Sequence, residues 1–268
     1  MPGGIYLKYL TLFRADFYNL FFYWIVYSFL GWALETIYAS IKNKKFINRG
    51  FLFGPLCPVY GFGALILILF SNPIKNNIFS LFLFATVAAS ALEYFTGYIL
   101  ETAFKTTWWD YSHDFLNIKG RICITFSILW GIGSVIFMKY IHPIIINISD
   151  IISTNMGYII LQIIFIVIIV DLLFTLKSLT NLNNLLSQLN NVYIESKFAL
   201  EHLKDFKDNK LSSQEYIFQQ VKDRYENILK SIKCRYSRLT NAFPQFTEMK
   251  INQIALDIKN KFKSNGDN

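Results

Sequence analysis

Five stretches of the chain are almost entirely apolar, and each is long enough to be considered as a membrane-spanning helix. About 20 residues at ~1.5 Å each cover the ~30 Å hydrocarbon core of a bilayer. The pattern therefore predicts an all-α integral membrane protein, a bundle of about five transmembrane helices formed by residues 1–179. The five predicted spans are residues 17–39, 54–70, 78–104, 122–141 and 156–176.

The second span is irregular at its start, because residues 54–63 are rich in proline and glycine. Both residue types disfavour a regular helix. Irregular backbone at membrane depth is tolerated where protein buries it or where it lines a wet cavity. One interpretation is a broken or re-entrant segment that lines a binding site, as in many transporters. The other is a helix that begins after Pro58, with glycines that let neighbouring helices pack closely.

Residues 180–268 have no comparable apolar run and are predicted to form a helical tail in the cytoplasm. Because residues 158–265 contain no glycine, the fifth span is expected to continue into this tail as one helix. After a break near residues 208–211, Ser212 and Glu215 match a capping box, and a last helix is expected at 248–262. The apolar spacing predicts a helical hairpin or a short coiled coil, which either packs within the tail or docks another subunit.

Composition agrees with a membrane protein: the chain is 53% apolar and 18% aromatic, too apolar for an ordinary soluble domain. Of the net charge of +8, the share carried by residues 177–268 is +5. It is spread along the tail with acidic residues interleaved, so no nucleic-acid partner is expected. The three cysteines are scattered, which indicates neither a disulfide framework nor a zinc site. The first span carries Glu35 and lacks a following cleavage site, so a cleaved signal peptide is not expected.

Loop charges predict how the chain lies in the cell membrane. With five spans, the loops at 40–53 and 105–121 share a side with the tail and are richer in Lys and Arg than the opposite loops. Basic loops stay in the cytoplasm. The amino terminus is therefore expected outside and the tail inside.

One face of the third span is polar, and Glu93 lies near its middle. A carboxylate at the centre of a membrane costs roughly 2.5–3.5 kcal/mol on insertion scales, so it usually faces a protein interior or a water-filled cavity. At ~100° per residue the polar positions fall on one stripe, which should face the bundle. The stripe consists of Thr86, Ser90, Glu93, Gly97 and Glu101.

The other charged residues near the spans are candidates for the same site. Glu35, Glu101 and Asp171 lie near the cytoplasmic ends of their helices, on the side that also carries Arg49 and Arg121. Pairing Glu35 or Glu101 with these arginines would offset part of the insertion cost. Either these carboxylates join Glu93 in binding a solute, or they form structural ion pairs at the interface.

The loop that follows the third span contains Trp108, Trp109 and three residues able to bind a metal, Asp110, His113 and Asp114. No partner cluster with metal-ligand spacing occurs elsewhere, and tryptophan pairs at a membrane boundary commonly act as interfacial anchors. No phosphate-binding loop, zinc-protease pair or nucleophile elbow is found in the sequence. We therefore expect no cofactor and no metal, and neither ATP hydrolysis nor zinc-dependent proteolysis in this chain.

Several short blocks resemble motifs of a bacterial membrane-protein family, described as putative ABC-transporter type IV or putative ABC transporter permease. The resemblance covers roughly residues 17–143. The blocks are Gly31-Trp32-Ala33-Leu34-Glu35, Asn48-Arg49-Gly50-Phe51-Leu52, Gly54-Pro55, Pro58-Val59-Tyr60-Gly61, Glu93-Tyr94 with Gly97 and Glu101, Trp109-Asp110-Tyr111-Ser112, Asn117, Gly120-Arg121-Ile122-Cys123, and Phe126-Ser127 with Trp130-Gly131.

This resemblance implies a multi-pass, permease-like subunit whose ATPase is a separate polypeptide. Its motif residues Tyr60, Trp109, Asp110 and Tyr111 join the candidate substrate-binding set. Besides the bilayer, a homo-oligomeric partner is compatible with the pattern. Two other functions stay open. One is a membrane-embedded enzyme acting on a lipid or lipid-linked substrate, and the other is a membrane scaffold or sensor that presents the tail.

Overall fold

The computed structural model describes residues 3–104, 107–152, 155–204 and 211–243, and these residues form helices and short connections with no strand. The elements are α1 (Gly3–Asn43), α2 (Pro58–Phe70), α3 (Ile78–Phe104), α4 (Ile124–Ile136), a π-helical turn (Phe137–Ile141), α5 (His142–Ile152), α6 (Asn155–Lys204), α7 (Leu211–Arg235) and α8 (Ser237–Ala242).

Within the described residues, four stretches of helix are long and apolar enough to cross a membrane, which confirms the predicted helical membrane bundle. They are Phe17–Asn43, Ile78–Phe104, Ile124–Ser149 and Met156–Val192. The last belongs to α6, a single helix of 50 residues, so the fifth predicted span continues into the tail as expected. Its single glycine, Gly157, lies near its start, and the rest of the helix has no further glycine, the residue that most often ends helices.

The fourth span continues beyond its predicted end at residue 141, through the π-helical turn into α5. Pro143 has no N–H to donate to the carbonyl of Lys139, and its ring crowds that carbonyl. A π-helical turn widens the backbone at this place and lets the helix continue. The predicted span of residues 122–141 was therefore too short at its end.

The second predicted span is a short helix preceded by irregular backbone. Helix α2 has 13 residues, about 20 Å at ~1.5 Å per residue, which is too short to cross a bilayer alone. It begins at Pro58 itself, where a missing N–H is harmless. The backbone before it is held inside the bundle, because the amide of Cys57 donates to the carbonyl of Ser28 in the middle of α1 (2.9 Å).

Helices α1 and α3 both run antiparallel to the continuous α4–α5 segment. The hydroxyls of Ser90 and Ser127 lie 2.7 Å apart and join α3 to α4. Farther along, Tyr27 Oη lies 2.7 Å from His142 Nδ1, and the Tyr23 hydroxyl lies 3.1 Å from that of Ser149. The carboxyl-terminal ends of α1 and α3 therefore point to the same side of the bundle.

The chain divides into two compact units: Met1–Leu100 with Trp109–Thr175, and Glu101–Trp108 with Leu176–Asn268. The predicted domain boundary at residue 179 stays a prediction. Within the second unit, the α6 residues Leu179, Leu182, Leu186 and Leu189 are buried, as the predicted apolar stripe requires.

Trp108 is also buried in the second unit, where its ring meets that of Phe243 edge to face at 4.7 Å. The interpretation of Trp108 as an exposed interfacial anchor is therefore wrong, because a neighbouring ring covers it. The predicted helix at 248–262 and the side chains of the Ser212–Glu215 capping box lie outside the described residues.

Candidate functional site

The carboxylate of Glu35 is held by a base and a phenol. Its Oε2 lies 3.5 Å from Nε of Arg49, and its Oε1 accepts a hydrogen bond from the hydroxyl of Tyr60 (2.7 Å). Arg49 follows α1 in the chain, and Tyr60 lies in the first turn of α2. The predicted pairing of Glu35 with a nearby arginine is thus confirmed for Arg49.

A glycine allows Tyr60 to reach this position. The ring of Tyr60 lies directly against Gly31 of α1, and a Cβ at position 31 would overlap the ring. Gly61 packs in the same way against Ser28 and Trp24. The glycines around the second span therefore provide close helix packing, while the irregular backbone before Pro58 is present as well. The two interpretations of this segment both describe part of the structure.

Glu93 of α3 lies in the same unit, with a different set of neighbours. Its Oε1 accepts a hydrogen bond from the hydroxyl of Tyr111 (3.1 Å), and the Trp130 side chain of α4 makes a close polar contact with the carboxyl group. Its Oε2 is buried, and no described group donates a hydrogen bond of good geometry to it. The carboxyl group is therefore only half satisfied by the residues around it.

The two carboxylates are near each other, but only one of them has a cationic partner among the described neighbours. Glu35 and Glu93 are close enough for their charges to interact, and Tyr60 is within electrostatic range of both. Arg49 offsets the charge of Glu35. The described groups that interact with Glu93 are the side chains of Tyr60, Tyr111 and Trp130 and the carboxylate of Glu35, with no cation among them.

The polar stripe on α3 faces the bundle, as predicted. The hydroxyl of Ser90 bonds that of Ser127 on α4, and Thr86 lies against Gly131 of the same helix. Gly97 lies close to the Trp109 ring, since a Cβ at position 97 would be 3.2 Å from it. These contacts place the same helix face that carries Glu93 against α4 and the loop before it. Glu101, the last member of the stripe, is assigned to the second unit and is not brought into the site by these contacts.

Residues 109–123 fold back on themselves and bring Tyr111 to Glu93. The amide of Tyr111 donates to the carbonyl of Gly120 (2.8 Å), and the indole of Trp109 donates to the carbonyl of Arg121 (2.8 Å). Burial raises the pKa of the Tyr111 phenol far above its ordinary value, and the adjacent Glu93 carboxylate raises it further. Tyr111 therefore remains a hydrogen-bond donor across the physiological pH range.

Asp110 helps to build this loop. Its Oδ1 accepts the amide of Ser112 (2.8 Å) and lies against Gly120, whose φ of +67° is in the left-handed region that favours glycine. His113 and Asp114 are exposed. Among the described residues, no group of three or more His, Cys, Asp or Glu side chains is arranged to hold a metal ion.

Arg121 lies over two aromatic rings of α3. Its guanidinium carbon is 5.2 Å from the ring centroid of Tyr94 and 5.3 Å from that of Tyr98, and Nη1 donates to the Tyr94 hydroxyl (3.2 Å). Such cation–π contacts fix the guanidinium at the end of the α3 polar stripe.

Asp171 bonds the backbone before α2, and its assignment to substrate binding stays a prediction. Its Oδ1 accepts the amide of Phe53 (2.9 Å) and its Oδ2 accepts the amide of Gly54 (2.7 Å). The hydroxyl of Thr175 adds a third bond at 3.2 Å. The carboxylate thus satisfies backbone donors of the irregular segment before α2 and attaches this segment to α6.

Sequence reasoning did not assign Trp130 and Phe126 to the site. The Trp130 ring meets Tyr60 edge to face at 5.6 Å, and Phe126 stacks on Tyr111 at 4.8 Å. Both lie on α4, one turn apart, next to the polar positions Ser127 and Gly131. That proximity to the predicted polar face is the signal that could have identified them.

A family model described as putative ABC-transporter type IV matches residues 22–176. The match spans more than half of the chain and contains every residue of the site described above. No curated protein and no solved structure shows significant similarity to the chain.

Proposed function

We propose that this chain, which belongs to the putative ABC-transporter type IV family, is the permease-like component of a transporter in the cell membrane. In this proposal Glu93 binds the transported species, which is either a proton or another cation. The subunit that hydrolyses ATP would be a separate polypeptide. The tail would lie in the cytoplasm, in agreement with the basic loops on its side.

The observation that supports this proposal is the state of the Glu93 carboxyl group. One of its oxygens is buried without a hydrogen bond from the described residues, and the charged group that interacts with it is the like-charged Glu35. An ionised carboxylate in such surroundings is costly unless a cation or a proton neutralises it. Glu35, with Arg49 beside it, has its counter-charge already.

The neighbouring side chains hold the two carboxylates in place. Tyr60 and Tyr111 donate their hydroxyls to Glu35 and Glu93, and the Trp130 side chain makes a polar contact with Glu93. These contacts leave Oε2 of Glu93 as the acceptor that a cation or a proton would use.

The direct test is infrared difference spectroscopy on the purified full chain, because it needs neither an ATPase nor an identified substrate. Changing pH, or adding Na⁺, K⁺ or tetramethylammonium, should produce a carboxyl band that disappears in Glu93→Gln. The control Glu226→Gln alters an exposed glutamate of α7 and should leave the band intact. A band that survives in Glu93→Gln, or no band under any condition, would contradict the assignment of Glu93.

Flux measurements then test transport itself. Proteoliposomes under an imposed potential should move protons, Na⁺, K⁺ or tetramethylammonium in wild type, and Glu93→Gln should lower that flux at least tenfold with equal incorporation. Normal flux in Glu93→Gln would contradict the proposal.

A further inference from the structure

Three described non-glycine residues have backbone φ in the left-handed region, and all three lie in the two loops at the same end of the bundle. They are Lys44 (φ +52°), Leu116 (φ +50°) and Lys119 (φ +52°). Bulky L-residues adopt this conformation at a cost of roughly 1–2 kcal/mol. Such strain is uncommon and frequently marks a functional position.

Lys44 occupies a position at which glycine is normal. Helix α1 ends at Asn43, and the amide of Lys44 bonds the carbonyl of Ile41 (3.3 Å). This first residue beyond a helix end is most often glycine, because glycine alone has no steric penalty there. A lysine at this place adds an exposed cationic side chain beside Lys45, although its backbone is strained in the left-handed conformation.

The second loop is similarly constrained. The Asn117 side chain donates to the carbonyls of Ser112 and Asp114 (both 3.0 Å) and accepts the amide of Gly120 (3.2 Å). This network holds the turn in which Leu116 and Lys119 adopt left-handed conformations. These hydrogen bonds fix the backbone of the turn, and its exposed side chains therefore have a fixed arrangement.

The side chains that the two loops expose are apolar and basic. Phe46, Phe115 and Leu116 are 75%, 74% and 65% exposed, and Lys44, Lys45 and Lys119 are exposed as well. We name these six residues the basic–apolar loop surface. Since α1 and α3 end on the same side of the bundle, both loops lie at one membrane face. Asp114 is the one acidic side chain that is exposed within the described part of the second loop.

We infer that the basic–apolar loop surface binds anionic phospholipid in the leaflet at which α1 and α3 end. The aromatic and leucine side chains insert at the boundary between headgroups and acyl chains, and the lysines contact headgroup phosphates. Basic residues near a membrane surface attract anionic lipid by about 1 kcal/mol each, and apolar side chains at this depth add binding strength. This inference is independent of the role of Glu93.

Lipid binding to the purified full chain tests the lysines. Native mass spectrometry with phosphatidylglycerol and phosphatidylcholine should show tighter binding of phosphatidylglycerol. Each lysine replaced by glutamine should weaken that binding about fivefold, so Lys44→Gln, Lys45→Gln and Lys119→Gln together should weaken it roughly 100-fold. The control Lys75→Gln changes an exposed lysine between α2 and α3, at the opposite end of the bundle, and should change phosphatidylglycerol binding less than twofold. Equal binding of both lipids, or wild-type affinity in the triple variant, overturns the inference.

Lys119→Gly separates lipid binding from a structural role. Glycine relaxes the left-handed backbone, so the melting temperature should rise while phosphatidylglycerol affinity falls about fivefold. A higher melting temperature with unchanged lipid affinity would mean that Lys119 has a role other than lipid binding, and the inference would fail.

Insertion depth tests the apolar side chains. A spin label at Phe115→Cys in a Cys234→Ser background, in phosphatidylglycerol-containing vesicles, should collide with oxygen and be shielded from an aqueous nickel chelate. Access to the nickel chelate overturns membrane insertion. Immobilisation by an added protein chain, with shielding from both reagents, would assign the loop to a protein partner instead and overturns it as well.

Discussion

The hydroxyl of Tyr60 donates a 2.7 Å hydrogen bond to the carboxylate of Glu35. The bond joins the first turn of the short helix α2 to α1, and Arg49 approaches the same carboxylate from the other side. This polar contact ties the start of the half-length helix α2 to the carboxylate of Glu35 on α1.

Tyr60→Phe should destabilise the protein by about 1–3 kcal/mol, because it removes a hydrogen bond to a charged group and leaves Oε1 of Glu35 without its phenol donor. The measurement is thermal or denaturant unfolding in detergent. Tyr140→Phe is the matched control, since Tyr140 is 68% exposed and its hydroxyl should contribute little. Equal effects of the two substitutions would refute a special role for Tyr60.

Gly31→Ala should displace the Tyr60 ring, since the added Cβ overlaps it. Overpacking of this kind costs about 1–3 kcal/mol. Gly133→Ala on α4 is the control, because a Cβ there has no neighbour within 4 Å. The unfolding midpoints of the two variants should differ clearly, with Gly31→Ala the less stable. If Gly31→Ala matched Gly133→Ala, the close packing of α1 and α2 would be wrong.

Asp171→Ala should release the irregular segment before α2. The amides of Phe53 and Gly54 lose their acceptors, so their hydrogen exchange should accelerate by at least tenfold. Asp171→Asn keeps one acceptor oxygen and should give an intermediate rate. Thr175→Val removes a neighbouring hydroxyl and preserves both backbone bonds, so exchange should stay close to wild type. Unchanged exchange in Asp171→Ala would show that other groups hold the segment.

Tyr111 predicts a specific dependence of stability on pH. Burial first, and then the Glu93 charge, raises its folded-state pKa above the ordinary value of about 10. The unfolded chain therefore releases the phenol proton before the folded chain does. The stabilising contribution is complete below pH ~10 and is lost as pH rises from there towards the folded-state pKa, by up to about 1.4 kcal/mol per pH unit. Tyr111→Phe should lack this part of the slope.

The measurement is the unfolding free energy of wild type and Tyr111→Phe at several pH values from 8 to 11. Taking the difference between the two proteins removes the contribution of other tyrosines. Parallel curves above pH ~10 would count against a raised pKa at Tyr111.

The orientation of the chain can be tested with its own cysteines. Cys234 is exposed in α7, whereas Cys57 and Cys123 are buried. A membrane-impermeant maleimide should label inverted vesicles at Cys234 and leave intact cells unlabelled, because the tail is expected in the cytoplasm. Cys234→Ser should abolish labelling in both preparations. Labelling of Cys234 in intact cells would reverse the predicted orientation.

Local patterns were enough to predict part of this architecture. The polar stripe on α3 faces the bundle because helix periodicity fixes which side chains share a face. The pairing of Glu35 with Arg49 followed from their common side. The contacts of Asp171 with the backbone could not be predicted, because they depend on how α6 lies against a distant part of the chain. Gly54, one of the residues that Asp171 bonds, is 117 residues earlier in the sequence. Periodicity within one helix carries no information about that arrangement.

Trp130 shows the same limit. Its place beside Glu93 depends on how α4 is rotated against α3, and that rotation is set by contacts such as Ser90 with Ser127. The π-helical turn is different, because the signal is local: Pro143 forbids one ordinary helical hydrogen bond. A sequence pattern shows that the helix must adjust there and does not show whether it ends or widens.

The π-helical turn at Phe137–Ile141 also sets which way the side chains of the following helix α5 point around the helix axis. One additional residue in a helical turn rotates the downstream segment by about 100°. With that offset, His142 and Ser149 meet Tyr27 and Tyr23 of α1. Deleting one residue within the turn would restore ordinary winding and swing this histidine about a quarter of a revolution, away from its tyrosine and towards the hydrocarbon.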